Sequence, residues 1–263
     1  MTLAVRDKRL VAQSFSRAAC TYDSVAGLQR SVADRLLGWL PELSPEVVLD
    51  LGSGTGYASS TLRQRYPQAL LISLDLAEGM LNFARGREQA VRHHHVCGDA
   101  ESLPLADGSV DLVYSSLAIQ WCEQPQRLFC ELCRVLKPGG QLLVATLGPQ
   151  TLYELKKAWA EVDDDRHVNE FIPLEALKSA GEGLVPVREM IEQRVLEYRQ
   201  LGELMHELKA LGAHNVNPRQ QQGLSGMTRL RTLSRAYDGQ RLANGSLPAS
   251  YEIYYLQWQK GLK

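Results

Sequence analysis

Three glycines at alternate positions, Gly52-Ser53-Gly54-Thr55-Gly56, follow closely on a carboxylate, Asp50, and two further acids stand downstream at Asp75 and Asp99. Glycine is needed where backbone must approach a ligand closely or take a positive φ. A carboxylate at the tip of the next strand can accept hydrogen bonds from both hydroxyls of a ribose. The glycine turn alone is compatible with a pyrophosphate, with another ligand or with a tight turn. Adding Asp75 points to a nucleoside-bearing ligand, for which NAD fits as well as any other. The run Gly98-Asp99-Ala100-Glu101-Ser102-Leu103-Pro104 places a third polar position after a third apolar run.

Other chemistry-bearing residues point less sharply. Cys130 and Cys133 have the spacing of half a zinc site, but no second pair matches them and they fall in a helical pattern, so helix packing is expected. His93-His94-His95 cannot turn three rings to one metal in a strand, where neighbours face opposite sides, and no metal is expected. Five cysteines, an odd number, argue against a disulfide framework. The net charge of -1 gives no global attraction to nucleic acid or membrane. No apolar run approaches the roughly 20 residues that span a bilayer, and the charged start Arg6-Asp7-Lys8-Arg9 does not read as a signal peptide. A cytoplasmic protein is expected.

The elements that must position these residues follow from hydrophobic periodicity. Helical spacing covers Leu10 to Ala18 and Leu28 to Leu40, with a bend expected at Ala19-Cys20-Thr21-Tyr22-Asp23. Short apolar runs at 46–51, 70–75, 93–97, 110–115 and 141–146 read as buried parallel strands. Helices are expected at 57–66, 80–87 and 127–136, and a turn at Lys137-Pro138-Gly139-Gly140. This alternation implies a doubly wound parallel sheet whose ligands bind at the carboxyl ends of the strands. Beyond 150 the pattern is mostly helical (151–162, 173–180, 199–211, 225–237), with strands at 183–198 and 251–259. The expected organisation is an N-terminal helical cap over 1–42, an α/β core over 43–150, a helical lid over 151–245, and a C-terminal strand completing the sheet over 246–263.

The set Val-Leu-Asp-Leu-Gly-Ser-Gly-Thr-Gly, Leu-Asp-Leu-Ala-Glu-Gly-Met-Leu, Gly-Asp-Ala-Glu-Ser-Leu-Pro-Leu and Leu-Lys-Pro-Gly-Gly, over about residues 45–147, resembles a class I S-adenosylmethionine-dependent methyltransferase. The resemblance implies a mainly parallel, seven-stranded α/β sheet and S-adenosylmethionine as cofactor. It implies that Gly52, Gly54 and Gly56, with Ser53, pass under the methionine part and ribose. It implies that Asp75 holds the ribose with Leu76 and Met80 packing nearby, that Asp99 and Ala100 meet the adenine, and that Asp50 reaches the methionine amino group. Ser115, at the tip of the fourth strand, belongs to the same cofactor set. The Asn/Asp-Pro-Pro-Tyr/Phe motif of amino-methylating enzymes is not found after the fourth strand.

A second resemblance covers nearly the whole chain. Phe15-Ser16-Arg17-Ala18-Ala19 with Tyr22, Leu117 to Cys122, Ala158-Trp159 with Val162-Asp163, His167-x-Asn169-x-Phe171, Leu208-Lys209-x-x-Gly212-Ala213 and Tyr251-x-x-x-Tyr255 resemble the malonyl-acyl-carrier-protein O-methyltransferase family of biotin synthesis. This implies methylation of the free carboxylate of a malonyl thioester on acyl-carrier protein or coenzyme A. Tyr22, Gln120 and Trp121 are then the expected acceptor-side walls, and His167 a residue that could orient the malonyl group. Tyr251 and Tyr255 are expected to pack in the last strand. An acidic carrier calls for a basic docking face. Residues 199–245 hold seven basic and three acidic side chains, so a face is sought there, with Lys209, Arg231 and Arg235 as candidates. The alternatives are an O-methyltransferase for a small diffusible acid or quinone, and a binding module that keeps the fold without catalysis.

Overall fold

Apolar runs alternating with amphipathic segments bury both faces of a sheet by placing helices on either side. The computed structural model describes residues 7–87, 92–213 and 226–262. Its elements run α1 (Lys8–Val25), α2 (Gly27–Leu37), β1 (Val47–Leu51), α3 (Tyr57–Arg65), β2 (Leu70–Asp75), α4 (Glu78–Arg85), β3 (His93–Cys97) and β4 (Val110–Ser116). After a 3-10 turn at Ile119–Trp121 come α5 (Pro125–Val135), β5 (Leu136–Leu147), α6 (Tyr153–Ala160), α7 (Leu174–Ala180), β6 (Leu184–Tyr198), α8 (Leu201–Ala210), α9 (Gly226–Asp238) and β7 (Leu247–Lys260).

The seven strands form one sheet in the order β3-β2-β1-β4-β5-β7-β6, parallel from β3 to β5 and antiparallel where β7 meets β5 and β6. The order reverses between β1 and β4, which opens a crevice at the carboxyl end of β1. Leu51 pairs with Leu74 and Asp75 with Cys97, so the first three strand tips end side by side. One core, around Leu36, Leu62, Tyr114 and Leu204, lies under α2, α3, α6, α8 and α9. A second, around Leu49, Val113, Phe129 and Leu132, lies under α5 and α7, and a small third one of Ala19, Ala77 and Met80 joins α1 to α4.

Several local expectations are corrected. No bend occurs at 19–23. Helix α1 continues to Val25, because that stretch holds no glycine or proline and Ala18 and Ala19 are buried. Its start is fixed by the Asp7 carboxylate, which accepts from the Arg9 backbone N–H at 2.9 Å. The Lys137–Gly140 turn is a bulge within β5: Leu136 pairs with Val110 and Gln141 with Leu112, and Gly139 takes φ +79°. The strand expected at 183–198 is the 15-residue β6. The C-terminal strand lies inside the sheet between β5 and β6, leaving β6 as the edge.

Tyr251 and Tyr255 are core residues of β7, and the Tyr255 hydroxyl donates to Glu192 at 2.9 Å. Cys133 packs beside the α5 core while Cys130 is exposed, and neither is in a disulfide. His93 and His95 stack at 4.2 Å on one face of β3. Burial pushes His93 down to about 4, so that ring is neutral at pH 7. No helix among the described residues is long and apolar enough to cross a membrane.

Candidate active site

At the carboxyl ends of β1, β2, β3 and β4 lies a cleft enclosing about 810 Å³ of empty space, its open mouth included. Its acidic side is Asp75, Asp99 and Glu101, and its apolar wall includes Leu76, Met80, Ile119, Phe15 and Trp121. A smaller cavity adjoins it, lined by Asp50, Ser53 and Arg30 among others. Tyr22, Gly52, Gly54 and Ser116 line both.

The glycine turn is shaped by backbone that other residues resist. Gly52, Gly54 and Gly56 have φ of +71°, +55° and +84°. A Cβ on Gly52 would stand 2.1 Å from the Ala118 Cβ, whereas one on Gly54 would meet no atom within 4 Å and would project into the space a ligand needs. Gly56 does not line either cavity. It is the N-cap of α3, and its N–H donates to the Ser53 carbonyl at 3.0 Å.

Asp75 closes the turn from the neighbouring strand. One carboxylate oxygen accepts the Gly54 N–H at 2.9 Å and the other the Ala77 N–H at 2.7 Å. Each oxygen has two lone pairs, so each keeps capacity for one more donor, such as a sugar hydroxyl. Burial pushes the Asp75 carboxyl above its ordinary range against the pull of these backbone donors. Asp50, only 2 % exposed, accepts the Ser59 hydroxyl at 2.6 Å, and burial raises it to about 7.

Asp99 folds its own loop by accepting the Glu101 N–H at 3.0 Å, and it also accepts the Lys8 ammonium at 2.6 Å. Lys8 pairs in addition with Glu101, whose side chain is buried and lines the cleft. This donor and acceptor set, with open space above Gly54 and flat apolar sides at Leu76 and Met80, fits a nucleoside with two sugar hydroxyls.

Tyr22 and Trp121 line the cleft. Burial, helped by Asp75 and Asp23, pushes the Tyr22 hydroxyl well up, so it stays a proton donor at neutral pH. Trp121 stacks edge-on against Phe15 at 5.0 Å. Leu117, with φ +50°, turns the chain out of β4 into the cleft wall, a strained conformation of the kind found at functional sites.

Other expected residues stand elsewhere. Gln120 is absent from the cleft lining because its amide is tied down: its NH2 donates to the Leu117 carbonyl at 2.8 Å and its oxygen accepts the Thr146 hydroxyl at 3.3 Å. Ser115 is buried in the sheet, where its hydroxyl donates to the Leu51 carbonyl at 2.9 Å. His167 stacks on Trp159 at 3.5 Å and bonds Asp163 at 2.6 Å. Asp163 also takes the Arg229 guanidinium, so the motif is a tie between the loop after α6 and helix α9. Burial pushes the Asp163 carboxyl up, but His167, the Asp165 N–H and Arg229 outweigh it and hold the group below its ordinary range. Lys209 lines a separate groove between α1 and α8 with Arg17 and His206. Arg231 and Arg235 are exposed on α9, and Arg219, counted in the same basic segment, lies outside the described residues.

Lys8, Phe15 and Glu101 were not among the expected site residues. The signal for the first two was present: Lys8, Phe15 and Tyr22 are spaced by seven and share one helical face with Val11 and Ala12. An expected bend at 19–23 conceals it.

A methyltransferase-domain family model matches residues 49–144. A bifunctional biotin-biosynthesis protein, BioHC, of Cellvibrio japonicus is 52% identical over 95% of this chain and 50% of its own length. The chain thus spans about half the length of the first curated relatives it matches. A malonyl-acyl-carrier-protein O-methyltransferase of Laribacter hongkongensis is 44% identical over 95% of this chain and 88% of its own length. Among solved structures, a methyltransferase candidate from Bacillus halodurans superposes with a TM-score of 0.65, at 18% identity over 88% of this chain and 99% of that one, a likeness of fold.

Proposed function

Because the chain belongs to the malonyl-acyl-carrier-protein O-methyltransferase family, we propose that it methylates the free carboxylate of a malonyl thioester carried on acyl-carrier protein. The observation that carries this reading is the cleft itself. Asp75 and Asp99 stand at one end, and the Tyr22 hydroxyl and the Trp121 ring stand in the same space. When bound, S-adenosylmethionine supplies a methyl group on a positively charged sulfur.

The chain's own residues have definable tasks. Asp75 accepts the two ribose hydroxyls with its remaining lone pairs, and Leu76 and Met80 flank the base. Asp99, with the Ala100 backbone, takes the adenine amino edge. Gly52 and Gly54 let the backbone lie against the sugar and methionine portions. Asp50, in the adjoining cavity, faces the amino end, where a cationic ligand group would draw its carboxyl back down from about 7.

On the acceptor side a carboxylate, ordinarily of pKa about 4, is ionised at neutral pH, so no general base is required. Tyr22 holds it with a neutral hydrogen bond, and Trp121 and Phe15 keep water from the reacting atoms. Lys209, Arg231 and Arg235 supply positive charge toward the carrier.

The test is transfer of labelled methyl from S-adenosylmethionine to malonyl-acyl-carrier protein, malonyl-coenzyme A and free small acids in parallel. A base-labile methyl ester on the carrier-bound substrate is expected. Label appearing only on a free acid or quinone would replace this reading with the small-molecule one.

A further inference from the structure

Helix α1 lies across the cleft and is tied to the rim at both ends: Asp23, near its C-terminus, accepts the Thr55 hydroxyl at 2.7 Å and pairs with Arg87, and three further ties lie along its first half. The Phe15 ring abuts Trp121, which follows β4. The Ser16 hydroxyl accepts the Gly79 N–H at 3.1 Å, at the start of α4. Lys8 reaches the loop after β3 and pairs with both Asp99 and Glu101. Of these three the last is ionic, and unlike the Asp23–Arg87 pair its residues all line the cleft. Glu101 is 2 % exposed and would be a buried, uncompensated charge without Lys8. Its other oxygen is committed to the Gln124 N–H.

Asp99 thus has two claimants, the Lys8 ammonium and any donor edge of a ligand base. Glu101 gives Lys8 a second partner that no ligand need displace.

We propose that Lys8 is a positioning residue that latches α1 over the nucleoside end of the cleft, using Glu101 as its permanent anchor and yielding Asp99 to the incoming base. The inference rests on the cofactor-binding reading of the cleft. A latch of this kind governs passage in both directions. Removing it speeds entry and exit together, whereas loss of an ordinary ligand contact speeds exit alone.

The experiment measures association and dissociation rates of S-adenosylhomocysteine by stopped-flow fluorescence on wild type, Lys8→Met and Lys8→Arg, with thermal melts of each. Lys8→Met is expected to raise both rates by about tenfold, the factor corresponding to one charge-assisted contact. Lys8→Arg is expected to restore them. Unchanged rates, or a rise in dissociation alone, overturn the latch. Failure of wild type to bind the nucleoside would instead overturn the reading of the cleft.

Should Lys8→Met not fold, hydrogen exchange on wild type decides the matter. The amides of residues 11–19 are expected to gain protection on ligand binding, and full protection already present in the free protein refutes a moving helix.

Discussion

The two glycines of the turn that line the cleft should fail in different ways when given a methyl group. Gly52 and Gly54 both sit at positive φ, +71° and +55°, so alanine at either position costs about 1–2 kcal/mol in backbone strain. At Gly52 the new Cβ also overlaps the Ala118 Cβ, at 2.1 Å. Overpacking of that kind adds about 1–3 kcal/mol, for a total of about 2–5 kcal/mol. At Gly54 no protein atom lies within 4 Å, so stability falls by the strain alone. The methyl then occupies ligand space, and a similar overpacking cost of about 1–3 kcal/mol moves to binding, which weakens Kd by about five-fold to 150-fold. Urea denaturation gives the stabilities, and calorimetric titration with S-adenosylhomocysteine gives the affinities. Gly54→Ala should be the more stable variant and a weak binder. Wild-type affinity in folded Gly54→Ala, or equal stability of the two variants, would refute the assignment of Gly54 to the ligand face and Gly52 to the β4 exit.

Three further outcomes are expected. Asp75→Ala should weaken S-adenosylhomocysteine binding by about 1.5–3 kcal/mol through loss of a charged acceptor, and an unchanged calorimetric Kd would remove Asp75 from the site. Asp50, raised from 3.8 to about 7 in the folded chain, makes its full contribution to stability below its unfolded pKa and loses it as pH rises through the folded one. Wild type should therefore lose on the order of 4 kcal/mol relative to Asp50→Asn between about pH 4 and pH 7, read as a difference of urea midpoints, and parallel pH curves would contradict this. His167→Ala, which removes the stack on Trp159 and the bond to Asp163, should lower the melting temperature but leave nucleoside affinity intact. A selective loss of affinity would return His167 to the ligand cleft.

Much of the glycine-turn end of the cleft was legible from local pattern. The apolar runs ending at Leu51 and Asp75, with glycines between, specify strand, turn and helix through short-range rules, and parallel pairing then places Asp75 beside Gly54 without further information. The side of the cleft around Trp121 was less legible, because a side chain's direction there depends on which partners reach it first. Gln120 and Trp121 are neighbours in sequence. The Gln120 amide is captured by Leu117 and Thr146, while the Trp121 ring is met by Phe15 from a helix a hundred residues earlier. His167 and Asp163 are four residues apart in sequence, yet only the arrival of Arg229 from α9 ties the loop after α6 to that helix.

Periodicity and backbone freedom within a few residues suffice to specify the strands, the glycine turn and the positions of the acids that follow it. The tertiary structure alone decided that α1 runs unbroken across the cleft and that Lys8 joins Asp99 and Glu101. Those ion pairs link residues more than ninety positions apart, and no local preference encodes a contact that exists only once the sheet has brought the strand tips together.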